Sequence, residues 1–156
     1  MTRVTASESL SRETLRIIDA NLNRSGEGLR VLEDIARMAL NDVAVSARLK
    51  TLRHGVVRTS ASFERMLLES RDSEGDVGRD TEVASEEKTK DLQSVLVANS
   101  RRVQESLRVL EELAKTPEIA PYLDSERFKQ ARFALYTLEK ELLAGLVHHL
   151  HPDLPR

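Results

Sequence analysis

The stretch NLNRSGEGLRVLEDIAR, residues 21–37, decides the fold, because much of it returns as NSRRVQESLRVLEELAK, residues 99–115. At an offset of 78, Ala20, Asn21, Arg24, Glu27, Leu29, Arg30, Val31, Leu32, Glu33 and Ala36 recur identically as Ala98, Asn99, Arg102, Glu105, Leu107, Arg108, Val109, Leu110, Glu111 and Ala114. At an offset of 79, LKTLR (49–53) resembles FKQAR (128–132). Repetition of this kind marks a supersecondary unit used twice. Each copy opens with an asparagine and then an arginine close to the apolar face. A buried amide without a partner costs roughly 1–3 kcal/mol, so the repeat asks what these polar groups meet.

Working outward, four long helical segments are expected. The first covers about 11–40, with Ser11 as cap. The second covers about 43–70, capped by Asp42 and containing Gly55. A polar, glycine-containing stretch at 71–85 follows. The third helix covers about 86–115, capped by Ser85, and Pro117 and Pro121 end it. The fourth covers about 126–150. The expected architecture is all-α: an up-down-up-down four-helix bundle built from a duplicated helical hairpin, one domain over 1–156, with hairpins at 11–70 and 86–150.

Composition agrees. Hydrophobic residues make up 40% and aromatic ones 3%, with 6 Gly and 4 Pro, which suits amphipathic helices better than sheets. The net charge of -2 gives no reason to expect nucleic acid or an anionic membrane as partner. With no cysteine, thiol catalysis and Cys-ligated zinc are excluded. The absence of a long apolar run or a leader-like start makes a cytoplasmic location the expectation. A homo-oligomer is left open. Phosphate-loop, nucleophile-elbow and zinc-helix motifs are absent.

At about 100° per residue, Ile17, Ile18, Leu32, Ile35 and Ala39 share one face, with Asn21, Ser25 and Gly28 within it and Arg24 at its edge. The second copy places Asn99, Val103 and Ser106 among Val95, Leu96, Leu110 and Leu113, with Arg102 at the edge. One reading is a polar layer that fixes helix register. The other is an internal pocket lined by amides and cations, sited where bundles commonly place ligands. Arg53, His54 and Arg132 lie at equivalent mid-helix places and extend the candidate binding set. Glu27, Glu33, Glu105 and Glu111 are their natural partners.

The stretch RDSEGDVGRD, 71–80, offers Arg71, Asp72, Asp76, Arg79 and Asp80 around Gly75 and Gly78. Carboxylates, arginines and glycines beside helix N-termini suit a Mg-phosphate site. Asp72 and Asp76 are the candidate metal ligands and catalytic groups there. Gly75 and Gly78 would permit close approach of the phosphate and are the candidate cofactor-binding glycines. The bland alternative is a solvated connector. HHLH, 148–151, reads as incidental.

RIIDANLNRSGEGLRVLEDIAR, LKTLRH, RDSEGDVG, NSRRVQESLRVLEELAK and RFALYTLEK together resemble the all-helical domain found in front of thiamine-phosphate synthase, over residues 16–140. That domain is identified with the single-function hydroxymethylpyrimidine phosphate kinase family. The resemblance implies ATP-dependent conversion of 4-amino-5-hydroxymethyl-2-methylpyrimidine phosphate to the diphosphate, with ATP and Mg as cofactors and thiamine-phosphate synthase as a candidate partner. Phosphoryl transfer mainly requires positioning, metal and positive charge. Two alternatives stand beside it: a non-catalytic pyrimidine-phosphate-binding or docking domain associated with the synthase, and an all-helical nucleotide pyrophosphohydrolase drawing on Glu33, Asp34, Glu111 and Glu112.

Overall fold

A computed structural model describes residues 10–79 and 91–155. Among them the order is α1 (Arg12–Asp34), a π-helical stretch (Ile35–Ala39), α2 (Val43–Val57), α3 (Ala61–Glu69), α4 (Leu92–Ala114) and α5 (Ser125–Leu150), with no strand. The all-helical expectation holds.

Side-chain caps set most of the boundaries by satisfying N–H groups that lack an intrahelical partner. The Ser11 hydroxyl accepts from Thr14 N at 3.2 Å, and Asp42 Oδ1 accepts from Val45 N at 3.0 Å. Asp91 Oδ1 accepts from Ser94 N at 2.7 Å and Asp124 Oδ1 from Glu126 N at 3.0 Å. The expected cap Ser85 and the start at Glu86 lie outside the described residues.

The expected second helix is two helices, so the described residues form five α-helices where four were expected. The backbone turns extended at Arg58 and Ser60, and the Ser60 hydroxyl accepts from Phe63 N at 3.3 Å. Restarting the helix there carries Phe63 and Leu67 into the core. Phe63 also stacks on Tyr122 with centroids 5.0 Å apart. A straight continuation would have had to hold these side chains on the line of α2. The end of the first helix also differs. Its last turn widens to π geometry, and Asn41 then takes positive φ before α2 begins.

One apolar core draws on α1 (Ile18, Leu29, Leu32), α2 (Leu49), α3 (Phe63), α4 (Leu96, Leu107, Leu110) and α5 (Leu135, Leu142). The most extensive packing is α1 against α4; α1 also meets α2 and α3, and α5 meets α4 and α2. Near the start of α1, Ser11 N donates to Glu118 just beyond α4. Further along, a Cβ on Gly28 would stand 3.4 Å from the Asn99 carbonyl oxygen, in the first part of α4. The two helices therefore run antiparallel.

Candidate functional site

The residues gathered from sequence converge on α1, in a cleft of about 590 Å³ between its N-terminal half and the segment after α3. Three α1 side chains at helical spacing, and hence on one face, hold that segment. Arg12 Nε donates to the Ser70 carbonyl at 3.2 Å and Arg16 Nη2 to the Asp72 carbonyl at 3.4 Å. Asp19, nearly buried, accepts from Arg71 Nε at 2.6 Å and Nη2 at 3.0 Å. Its hydrogen bonds to Asp19 hold the Arg71 guanidinium above its ordinary pKa.

The segment shapes itself locally. Asp72 Oδ1 accepts from Gly75 N and Asp76 Oδ1 from Gly78 N, each at 2.9 Å. Such Asx turns are a common use of aspartate beside glycine. At Gly75 a Cβ would meet the Asp72 carboxylate, so a side chain there would displace that carboxylate from the turn. Gly75 and Gly78 thus have visible roles as turn residues. Asp80 lies outside the described residues.

Asn21, Arg24, Arg71, Asp72 and Asp76 all line this cleft. Asn99, Arg102, Arg53, His54 and Arg132 do not. Asn21 is buried, and its Nδ2 donates to the Ile17 carbonyl at 2.8 Å; Asn99 Nδ2 donates to the Val95 carbonyl at the same distance. Each amide thus donates to its own helix, and only Asn21 lines the cleft. Arg24 and Arg102 are exposed at the edge, as their register implies. Arg53 Nε meets Glu33 at 2.9 Å, and Arg132 Nη2 meets Glu111 at 3.0 Å. Both carboxylates are buried, so these arginines brace the scaffold. His54 is exposed on α2.

Ile17, expected in the core, is 45% exposed and forms an apolar part of the cleft wall. Sequence reasoning missed Asp19, along with Glu13, Arg16 and Asn23, which also line it. The signal available was a polar stripe at 12, 16, 19 and 23, one helical face whose partner lies 52 positions away at Arg71.

The cleft offers anion-binding and ring-covering groups together. Arg24 has no hydrogen-bond or ion-pair partner among the described residues, while Arg16 and Arg71 add positive charge. Ile17 and Ala20 supply apolar surface, and Asn21 and Asn23 supply amides. The pyrophosphohydrolase reading loses its carboxylates, because Glu33 and Glu111 are engaged by Arg53 and Arg132, Asp34 by Arg30 and Glu112 by Arg108.

The chain matches the ThiD2 family over residues 16–141. It is 48% identical over 122 residues to a thiamine-phosphate synthase of Rhodopirellula baltica, covering 76% of this chain and 32% of that protein. It is 38% identical over 145 residues to a thiamine-phosphate synthase of Nostoc punctiforme, covering 92% and 39%. A third, from Synechocystis, is 39% identical over 130 residues, covering 83% and 36%. The chain spans between 32% and 39% of the length of these curated relatives. No solved structure matches it.

The expected kinship with the helical domain associated with thiamine-phosphate synthase holds. The expected kinase activity is overturned, since these relatives are named as a synthase and not as a phosphomethylpyrimidine kinase. The ATP and Mg expectations were tied to that reaction. Asp72 and Asp76 each use one oxygen on a turn, and no group of three or more His, Cys, Asp or Glu gathers for a metal among the described residues. Likewise, no helix among them is long and apolar enough to cross a membrane. With its match running through both copies of the repeated stretch, the chain belongs to the ThiD2 family.

Proposed function

We propose that this chain is a non-catalytic binding domain that holds a pyrimidine phosphate for thiamine-phosphate synthase. The observation that carries the reading is the convergence of Asn21, Arg24 and Arg71 on one cleft of α1 beside an exposed apolar side chain, Ile17. A flat aminopyrimidine has an apolar face and hydrogen-bonding edges. Its face suits Ile17 and Ala20, and its edge suits the asparagine amides. Its phosphate suits Arg24 and Arg16, since charge-assisted bonds to phosphate are the strong ones. No bond is made or broken. The domain's contribution is local concentration, which a tether to a second active site converts into occupancy. The synthase names of the relatives support that partner.

The repeat supports reading the architecture as a duplicated hairpin with two unequal half-sites. The Asn-to-carbonyl bond and the Glu–Arg pair occur in both halves. The cleft closed by Arg71 lies against the first copy.

Isothermal titration with 4-amino-5-hydroxymethyl-2-methylpyrimidine phosphate tests the proposal. The wild type should bind it, and the unphosphorylated pyrimidine much more weakly. Arg24→Ala should weaken binding about tenfold or more, equivalent to about 1.4 kcal/mol. Arg102→Ala should change it little. Absence of binding at millimolar ligand, or equal effects of the two variants, overturns the reading.

A further inference from the structure

Asn21 lines the α1 cleft and is 4% exposed. Its amide is not free to turn, because Nδ2 donates to the Ile17 carbonyl at 2.8 Å. A carbonyl oxygen only accepts, so the end of the amide facing Ile17 is the NH2 end and Oδ1 is the end left over. Among the described residues Oδ1 accepts no hydrogen bond, yet it is not sealed from solvent. The group that Asn21 offers is therefore an acceptor, held in place and unused. The same lock recurs in the second copy, where Asn99 Nδ2 donates to the Val95 carbonyl at 2.8 Å. Val95 and Asn99 stand where Ile17 and Asn21 stand, 78 positions on. The lock is thus a property of the repeated unit, while the cleft beside it lies against the first copy.

The neighbours set what that acceptor meets. Ile17 lies one turn before Asn21 on the same face, and Arg24 one turn after it. Arg24 is displaced from Asn21 by roughly 4.5 Å along the axis. It is exposed and has no hydrogen-bond or ion-pair partner among the described residues. Asn23, on the rim, is exposed too, and its untied amide can turn either end to a ligand. Asn21 cannot. An acceptor locked in a nearly buried wall rewards a donor and penalises a second acceptor, because two oxygens set against each other leave both without a partner.

We infer that Asn21 determines the specificity of the cleft for an amino-substituted ring: its Oδ1 accepts from an exocyclic amino group that neighbours the arm carrying the phosphate to Arg24. The inference rests on the reading of this cleft as a pyrimidine phosphate site, and it adds which edge of the ring is selected. Adjacent ring positions set an amino group and a phosphate arm side by side, as Asn21 and Arg24 are set on consecutive turns. With the phosphate at Arg24, a ring bearing a carbonyl oxygen in place of the amino group sets acceptor against acceptor. Turning that ring over puts a C–H at Oδ1 instead, so the hydrogen bond is lost either way.

Two pairs of probes test it on the intact chain. The first pair is 4-amino-5-hydroxymethyl-2-methylpyrimidine phosphate and its 4-oxo counterpart, compared by calorimetry. The wild type should bind the amino compound at least about tenfold more tightly. Asn21→Leu should make the two affinities nearly equal while still preferring the phosphate to the unphosphorylated pyrimidine. Asn99→Leu should keep the wild-type ratio. The second pair is 4-aminopyrimidine and pyrimidin-4-one, which carry no phosphate, added at millimolar concentration to the wild type. The amine should shift the side-chain amide signals of Asn21 in nuclear magnetic resonance, and the pyrimidinone should not. The ring probes keep the two readings apart: if neither phosphate binds but 4-aminopyrimidine alone shifts Asn21, the pyrimidine phosphate reading fails and the amino selection stands. Equal binding of the amino and oxo phosphates, an unaltered ratio in Asn21→Leu, or no difference between the ring probes at Asn21 each overturns the inference.

Discussion

Gly28 on α1 and Val103 on α4 pack so closely that a Cβ on the glycine would overlap Cγ2 of the valine. This contact sets how near the two longest-contacting helices approach. Gly28→Ala should therefore destabilise the fold by roughly 1–3 kcal/mol, despite the better helix propensity of alanine. Gly28→Ala/Val103→Ala should recover part of that loss, because the double variant removes the overlapping methyl. Thermal melts of the two singles and the double check it; a Gly28→Ala variant more stable than wild type would contradict the contact.

The asparagines should behave independently. The Asn99 carbonyl lies against Gly28, which is two turns of α1 and roughly 10 Å along the axis from Asn21. At that separation substitutions without shared partners add. The stability changes of Asn21→Leu and Asn99→Leu should sum in the double variant. Only Asn21→Leu should weaken pyrimidine phosphate binding. Coupled melting temperatures would instead restore a shared polar layer.

Arg71 is half-exposed while its partner Asp19 is largely buried. A pair this open to solvent contributes less than about 1 kcal/mol. For a chain of this size that shifts the melting temperature by less than about 4 °C. Arg71→Ala should stay within that shift and yet lower pyrimidine phosphate affinity by about fivefold or more, because it removes both a cleft cation and the tie holding residues 70–72 to α1. A large loss of stability with unchanged affinity would make the pair purely structural.

Acid should act through Glu111. Burial alone raises its pKa, but hydrogen bonds from Arg132 and Arg108 outweigh burial and hold it below the ordinary glutamate value. A depressed folded pKa means that this stabilisation is full above the unfolded value. It is lost as pH falls from the unfolded value through the lower folded one. Glu111→Leu should remove that part of the acid dependence. At neutral pH it should cost on the order of 3 kcal/mol, since Arg132 is left largely buried without its carboxylate. Glu111→Leu/Arg132→Leu should regain much of it. Denaturation midpoints between pH 3 and 7 give the comparison.

Helical class and the cap residues Ser11 and Asp42 were legible because they depend on spacing within a few turns, and the pairing of Glu33 and Glu111 with mid-helix arginines because the repeat sets the same residues at matching places in both halves. The break at residues 58–60 was not, since Arg58, Thr59 and Ser60 contain neither proline nor glycine. The gain there comes from seating Phe63 against Tyr122, distant in sequence. The π-helical stretch leaves no compositional mark. The cleft was half legible. Asn21, Arg24, Arg71, Asp72 and Asp76 were named, but Asp19 was not, because its role exists only once α3 has brought Arg71 back to α1. Asn99, Arg102, Arg53, His54 and Arg132 were grouped with them by the repeat, and symmetry of sequence did not carry symmetry of site.

Each buried carboxylate–arginine pair closes within its own half: Glu33 with Arg53, and Glu111 with Arg132. Cutting the backbone between Arg71 and Asp91 would sever neither lock. The two fragments would retain their internal ion pairs and differ from the intact chain mainly in having to find each other through the α1–α4 face. Complementation of separately expressed fragments into one helical complex is the expected behaviour, with affinity set by the apolar and small-residue surface around Gly28 and Val103 and not by charge. Such a split pair would report occupancy of the α1 cleft as a change in reassembly.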